Sequence, residues 1–322
     1  MKYTSLGPST LEVSRIALGC MGLGEPGRGV NPWALGEEAA GPIFRGAVEL
    51  GITLWDTANV YGYGASEEVV GRAIRRYTRR EGIVLATKLG LPMHDAPGGS
   101  GLSRKAITEQ IDGSLTRLGT DYIDLYQVHR FDPNTPVEET MDALNEVVQA
   151  GKARYIGASS MWAWQFSKMQ YIADQHGLAR FVSMQDQYSL VQREEEREMF
   201  GLLEDQGVSS LPWCPLAKGR LARPYGQETV RSNADPIGRR VFDDTDRPII
   251  DCLHRISTER GISMAQIALA WVLDNSVVAA PIVGATSPGH LQDAAAALDI
   301  HLDAGETEAL EVGYTPRPPS GF

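Results

Sequence analysis

An apolar, β-branched run, a loop and then a helix-forming segment recur along this 322-residue chain, and that recurrence limits the fold more than any single motif. Ile16-Ala-Leu-Gly19 is the first buried strand, followed by a glycine-rich loop from Gly22 to Gly29 and a helix near Glu38 to Leu50. The unit repeats as strand Thr53 to Asp56 with helix Ser66 to Tyr77, strand Ile83 to Lys88 with helix Ser103 to Leu118, and strand Tyr122 to Val128 with helix Pro136 to Ala150. Strand Arg154 to Ser159 with helix Trp162 to His176 follows, then strand Phe181 to Gln185 with helix Glu194 to Gln206. Seventh and eighth strands fit at Val208 to Leu211 and Val278 to Ile282, the last leading into a helix from Pro288 to Leu298. Eight such pairs, with no segment spared for an antiparallel edge, predict an α/β fold closed as a (β/α)8 TIM barrel; an open doubly wound sheet is the other arrangement.

Residues 1–322 read as a single domain. Lys2 to Leu6 and Leu11 to Val13, joined through Gly7-Pro-Ser-Thr10, form an N-terminal β-hairpin that would close one end. Ser66 and Ser103 are placed to cap helices, and Gly151 and Gly177 to end them. Two places break the rhythm: a long loop after strand seven, between Trp213 and Arg247, and an extra helix, Asp246 to Arg260, ahead of helix Met264 to Asn275. The proline-rich end, Tyr314 to Phe322, cannot be helical but is free to lie across the barrel mouth.

Charge and cysteine usage narrow the function. A net charge of -11 argues against nucleic acid or an anionic membrane as the main partner. Three scattered cysteines, Cys20, Cys214 and Cys252, suit a reduced compartment better than a disulfide framework. With no apolar leader and no run near the ~20 apolar residues of a membrane span, the expectation is a cytoplasmic protein. The six histidines fall into neither HxxxH nor HxH spacing, so no metal site is expected.

In a barrel of this kind chemistry belongs to the C-terminal ends of the strands. Strand two ends at Asp56 and feeds a loop carrying Tyr61; strand three ends in Ala86-Thr-Lys88; strand four runs into Val128-His129. A buried lysine needs a counter-ion, which Asp56 can supply, and an ammonium beside Tyr61 is expected to lower the phenol's pKa and make it a better acid. His129 is placed to donate to a carbonyl oxygen.

The stretches Trp55-Asp56-Thr-Ala-Asn-Val-Tyr61-Gly, Ala86-Thr-Lys88, Val128-His129 and Gly157-Ala-Ser-Ser160, in this order and spacing, resemble the aldo-keto reductases over essentially the whole chain. Lys152 to Gly157, Arg193 to Glu198 and the closing Gly321-Phe322 are similar to the bacterial and fungal branch of versiconal hemiacetal acetate reductase-like proteins. The resemblance implies NAD(P)H-dependent reduction of aldehyde or ketone carbonyls, without a Rossmann domain. Tyr61 would be proton donor, Lys88 and Asp56 the pair tuning it, and His129 the orienting donor.

The same resemblance implies cofactor contacts. Gly22, Ser159, Ser160 and Gln185 fall where the nicotinamide end is held, with Ser160 departing from the more usual asparagine. Trp213 matches the aromatic that stacks on the nicotinamide ring, and Pro215, Leu216, Lys218, Gly219 and Arg220 the loop around the pyrophosphate. Gly284, Thr286 or Ser287, His290 and Asp293 resemble the pocket for the adenosine 2′-phosphate, with Ala294 near the adenine. Histidine at 290, in place of an arginine, weakens that anion site, so NADPH is the expected cofactor with NADH not excluded.

Trp33, Trp162 and Arg130 are expected to line the substrate pocket, with Met21, Trp55 and Tyr126 nearby in sequence. The partner is then a small-molecule carbonyl compound, with oligomeric state left open. A cofactor-binding sensor or regulatory subunit is the alternative, since relatives such as potassium channel β subunits serve chiefly as partners of another protein. An isomerase or lyase on the same barrel would leave the tyrosine, lysine and histidine without a hydride to serve.

Overall fold

The computed structural model describes residues 1–29, 31–96, 98–227 and 243–319. The middle of the long loop after strand seven and the closing Gly321-Phe322 lie outside the described residues. Strands β1 (Tyr3–Ser5) and β2 (Glu12–Ser14) form the antiparallel hairpin, Tyr3 opposite Ser14. Gly7 in its turn has φ 54°, and a Cβ there would come within 2.2 Å of the Val182 carbonyl oxygen. Only glycine lets the hairpin seat this closely on the barrel.

The barrel comprises β3 (Ala17–Gly19), β4 (Leu54–Asp56), β5 (Val84–Leu89), β6 (Ile123–Val128), β7 (Ala153–Ser159), β8 (Phe181–Gln185), β9 (Ser209–Ser210) and β10 (Ile282–Gly284). Each is parallel to the next, and β10 pairs with β3. The ring closes through Val277–Ala279: Ser210 N–H donates to the Val277 oxygen at 2.8 Å and Ala279 N–H to the Ser210 oxygen at 2.9 Å. The eighth strand, expected over Val278 to Ile282, is therefore divided, its first part serving β9 and its second β3. Pro281 lies at the division, where it has no N–H to donate, and its oxygen accepts from Ala17 N–H at 3.0 Å.

The helices are α1 (Glu37–Glu49), α2 (Ala65–Tyr77), α3 (Arg104–Leu118), α4 (Val137–Gln149), α5 (Ala163–His176), α6 (Met199–Gln206), α7 (Arg247–Arg260), α8 (Met264–Asp274), α9 (Pro288–Ala296) and α10 (Ala304–Glu311). Ser103 caps α3 as expected, accepting from Ala106 N–H at 3.3 Å, and Gly177 ends α5 at φ 63°. Ser66 does not cap α2. Gly64 precedes that helix at φ 92°, and the Ser66 hydroxyl turns inward to Thr57 Oγ1 (2.9 Å) and donates to the Cys20 oxygen (2.8 Å). The segment expected as one helix over Glu194 to Gln206 breaks at Glu198 (φ -142°), leaving a 3-10 turn Glu194–Arg197 ahead of α6. Helix α10 was not anticipated, although Asp303 and Glu306 form a reciprocal capping box, each carboxylate accepting the other's N–H at 2.9 Å.

Strand periodicity sorts the side chains into two cores. Trp55, Leu85, Tyr126 and Met184 face the helices and pack with Phe44, Ile107, Met141 and Phe166. Inside the barrel, Ala17, Leu54, Val84, Ala86, Leu125, Val182 and Leu211 form an apolar layer that Leu6, Leu11 and Val13 of the hairpin region cover from below. No helix among the described residues is long and apolar enough to cross a membrane.

Candidate active site

One step of two residues further along the same strands, the inward positions become polar. Leu54 is followed inside by Asp56, Ala86 by Lys88, Leu125 by Gln127 and Val182, across a less regular stretch, by Gln185. Asp56 is 3% exposed and Lys88 fully buried. Lys88 Nζ donates to Asp56 Oδ2 at 2.5 Å and to the Thr57 carbonyl oxygen at 2.9 Å. The other carboxylate oxygen, Oδ1, accepts from Gln127 Nε2 at 3.0 Å and Gln185 Nε2 at 2.9 Å, while Gln185 Nε2 also reaches Gln127 Oε1 at 3.2 Å. Both carboxylate oxygens are thus hydrogen-bonded and the ammonium held at a fixed point, as a buried ion pair requires. Gln127 was missed in the sequence, although its place two residues beyond inward-facing Leu125 is the signal that would have found it.

Tyr61 arrives on a tight loop, its N–H bonded to the Ala58 oxygen at 3.1 Å, with left-handed backbone at Gly62, Tyr63 and Gly64 immediately after it. Its hydroxyl lies 3.4 Å from Lys88 Nζ and its ring stands edge-on to His129, centroids 5.8 Å apart. Burial raises the Tyr61 pKa and outweighs the opposing pull of Lys88, so the expectation of a lowered phenol is overturned: the lysine limits the rise without reversing it. Tyr61 holds its proton at neutral pH. Burial also works to lower the Lys88 pKa, but Asp56 and Tyr61 more than compensate and the ammonium stays charged. His129 is pushed well below its ordinary range, first by burial and then by the positive Lys88 and Arg130. It is a neutral imidazole, and its buried Nδ1 has no hydrogen-bond partner among the described residues.

The remaining sequence-predicted positions fall into three groups. Around the rim, Ser159 Oγ donates to the Gln185 carbonyl oxygen at 2.9 Å, and Trp213 Nε1 donates to Ser160 Oγ at 3.0 Å, which fixes the indole plane. The loop after β9 is wound through left-handed backbone at Cys214, Ala217, Lys218 and Gly219, with Pro215 and Leu216 between; Gly219 N–H closes on the Leu216 oxygen at 2.8 Å. Four such residues in six, three of them not glycine, is strain of the kind that accumulates at ligand loops. A Cβ on Gly22 or Gly284 would meet nothing, so both flank open space.

Arg220, Asp293 and His290, expected at the cofactor, have protein partners in this structure, as Gln185 has in Asp56 and Gln127. Arg220 donates to the Asp243 oxygen at 3.3 Å and stands 3.7 Å from buried Asp246, which also binds Arg317 of the C-terminal segment. Asp293 accepts from Gln266 of α8 at 2.8 Å. His290 Nδ1 accepts from Thr286 N–H at 3.3 Å. The C-terminal segment is held, too, by Tyr314, whose hydroxyl donates to Glu194 at 2.6 Å.

Of the substrate candidates, Trp33 is half-buried, Trp162 is 46% exposed at the start of α5, and Arg130 is half-buried beside His129. Met21 is half-buried. Trp55 and Tyr126 do not face the mouth: both point outward from the barrel, Trp55 packing on Phe44 at 5.1 Å and donating to the Ile52 oxygen.

A protonated phenol, a charged lysine behind it and a neutral imidazole beside it meet at the strand ends of a parallel barrel, an arrangement chemically able to donate a proton. Comparison with known proteins gives the same kinship. The model of the Aldo/keto reductase family matches residues 15–312. Versiconal hemiacetal acetate reductase of Aspergillus parasiticus is 43% identical, over 98% of this chain and 98% of that protein. Aldo-keto reductase dtxS3 of Metarhizium robertsii is 43% identical over 98% and 91%, and a putative aryl-alcohol dehydrogenase of Schizosaccharomyces pombe 39% identical over 99% and 97%. A family match across nearly the whole barrel, joined to relatives of this identity and coverage, establishes that the chain belongs to the aldo/keto reductase family of oxidoreductases.

Proposed function

We propose that the protein reduces aldehyde or ketone carbonyls to alcohols with NADPH, Tyr61 serving as general acid. The observation that carries this reading is the buried set in which Asp56, hydrogen-bonded by Lys88, Gln127 and Gln185, keeps Lys88 charged 3.4 Å from a phenol that still holds its proton. The nicotinamide, when bound, supplies the hydride. As negative charge develops on the carbonyl oxygen, Tyr61 Oη gives up its proton to it, and Lys88 stabilises the phenolate left behind. A neutral His129 with its proton on Nε2 donates to the same oxygen and orients it, without competing as an acid.

The cofactor residues fit such a group. Trp213 stands at the rim with its indole held by Ser160, and the left-handed loop through Gly219 beside it carries Lys218 and Arg220, whose charge suits phosphates. Ser287 begins α9 without a side-chain cap, leaving that helix end suited to the 2′-phosphate near Thr286 and His290. The relatives named for aryl-alcohol dehydrogenase and for hemiacetal acetate reduction make bulky or aromatic aldehydes the first substrates to try.

The test is loss of absorbance at 340 nm with NADPH, and separately NADH, over aryl aldehydes, aliphatic aldehydes, α-dicarbonyls and ketones. Turnover favouring NADPH is expected. Equal efficiency with NADH at neutral pH would contradict the cofactor assignment, and tight NADPH binding with no turnover across the panel would favour the sensor reading.

A further inference from the structure

Arg130 is a charged group at the catalytic rim that the proton-transfer scheme leaves unused. It follows His129 directly and donates through Nη1 to the His129 carbonyl oxygen; no acidic side chain among the described residues pairs with it. The nearest acid in sequence, Asp132, is occupied: its carboxylate accepts from Leu102 N–H and Asn134 N–H, each at 2.9 Å, and from the Thr135 hydroxyl at 2.7 Å. Lys88 is balanced by Asp56, so Arg130 leaves a surplus positive charge at the mouth of a protein whose net charge is -11. Arg130 is half-buried, and among the described residues one of its five N–H groups is assigned to a protein acceptor, which leaves the rest of the fork available to an anion. The guanidinium fork matches a carboxylate in two parallel hydrogen bonds.

Its chain neighbours are aromatic. Phe131 packs edgewise on Trp164, centroids 6.0 Å apart, and Trp162 is 46% exposed at the start of the same helix. Resting on the reductase reading above, we infer that the preferred substrate is an aryl aldehyde or ketone bearing a carboxylate, its carbonyl at Tyr61 and His129 and its carboxylate paired with Arg130. Arg130 is thereby the residue that sets substrate charge, distinct from the groups that move the proton.

The test compares the three carboxybenzaldehyde isomers with their methyl esters. The ester is the more electron-withdrawing substituent, so intrinsic reactivity favours it; the inference requires the opposite order for at least one isomer. Expected is a higher kcat/KM for that acid than for its ester, an acid-to-ester ratio that falls roughly tenfold to a hundredfold in Arg130→Met, mainly through KM, and partial recovery in Arg130→Lys. Calorimetric binding of terephthalate to the NADPH complex should weaken in step, and this reads Arg130 even if no aldehyde is turned over. Equal or lower efficiency for every acid, or Arg130→Met cutting acid and ester alike, would overturn the inference while leaving the reductase reading intact. Absence of turnover with acids and esters alike, with terephthalate binding still dependent on Arg130, would instead count against the reductase reading.

Discussion

The interior of this barrel holds two layers built on the same strands, two residues apart, and they solve opposite problems. The lower one, from Leu54, Val84, Ala86 and Leu125, is apolar and sealed by Leu6, Leu11 and Val13. The upper one, from Asp56, Lys88, Gln127 and Gln185, buries an ion pair and two amides at the point where the strands open. The lower layer gains stability by leaving water. The upper layer carries a desolvation penalty that hydrogen bonding only offsets, and a buried ion pair is weak grounds for stability. On the proposed function the polar layer serves Tyr61, so changes in the lower layer should cost stability alone, while changes in the upper one should cost turnover whatever they do to stability.

Lys88→Met breaks the upper layer most sharply. It leaves the Asp56 carboxylate buried with amide partners alone, and by the behaviour of severed buried pairs it should lose about 3–5 kcal/mol together with turnover. The double variant Lys88→Met/Asp56→Asn should recover part of that stability in urea unfolding and none of the turnover. Recovery of activity in the double variant would show that the pair is structural.

Leu125→Ala makes the matching change below. Cavity creation there should cost about 2–5 kcal/mol, while NADPH affinity and turnover at 20 °C stay within a few-fold of wild type. A turnover loss as large as that of Lys88→Met would erase the distinction between the layers.

A smaller effect concerns pH. The His129 pKa is depressed in the fold, so as pH falls below the unfolded value of about 6.5 the unfolded chain takes up a proton that the native one refuses. Its contribution to stability is therefore present above about pH 6.5 and lost as pH falls below it, with a limiting slope near 1.4 kcal/mol per pH unit from this one group. His129→Asn should flatten that slope in urea titrations between pH 6.5 and 5. An unchanged slope would mean that His129 titrates normally in the fold.

Most of the barrel was legible because the pattern that makes strands and helices is local: eight apolar runs, their helices, and the caps at Ser103 and Gly177. The failures came where distant groups decide. Pro281 divides the eighth strand between two neighbours, a matter of ring closure. Ser66 is drawn from a capping role by the Cys20 carbonyl and Thr57, which lie on other segments. At the site, Asp56, Tyr61, Lys88 and His129 were found by their place at strand ends and fall within one cluster. Gln127 was passed over because an uncharged side chain gives no chemical signal by itself; its role comes from facing Asp56 across the barrel. The direction of the Tyr61 shift was misjudged because sequence shows which charge is near but not how strongly burial opposes it.

Whether the upper layer serves proton delivery by Tyr61 is tested most directly by comparing Tyr61→Phe with wild type for NADPH affinity, by quenching of tryptophan fluorescence, and for turnover at 340 nm. Unchanged affinity with turnover reduced about 10²–10⁴-fold is expected for the loss of a general acid. Turnover within a few-fold of wild type at unchanged affinity would contradict the assignment and remove Tyr61 from the mechanism.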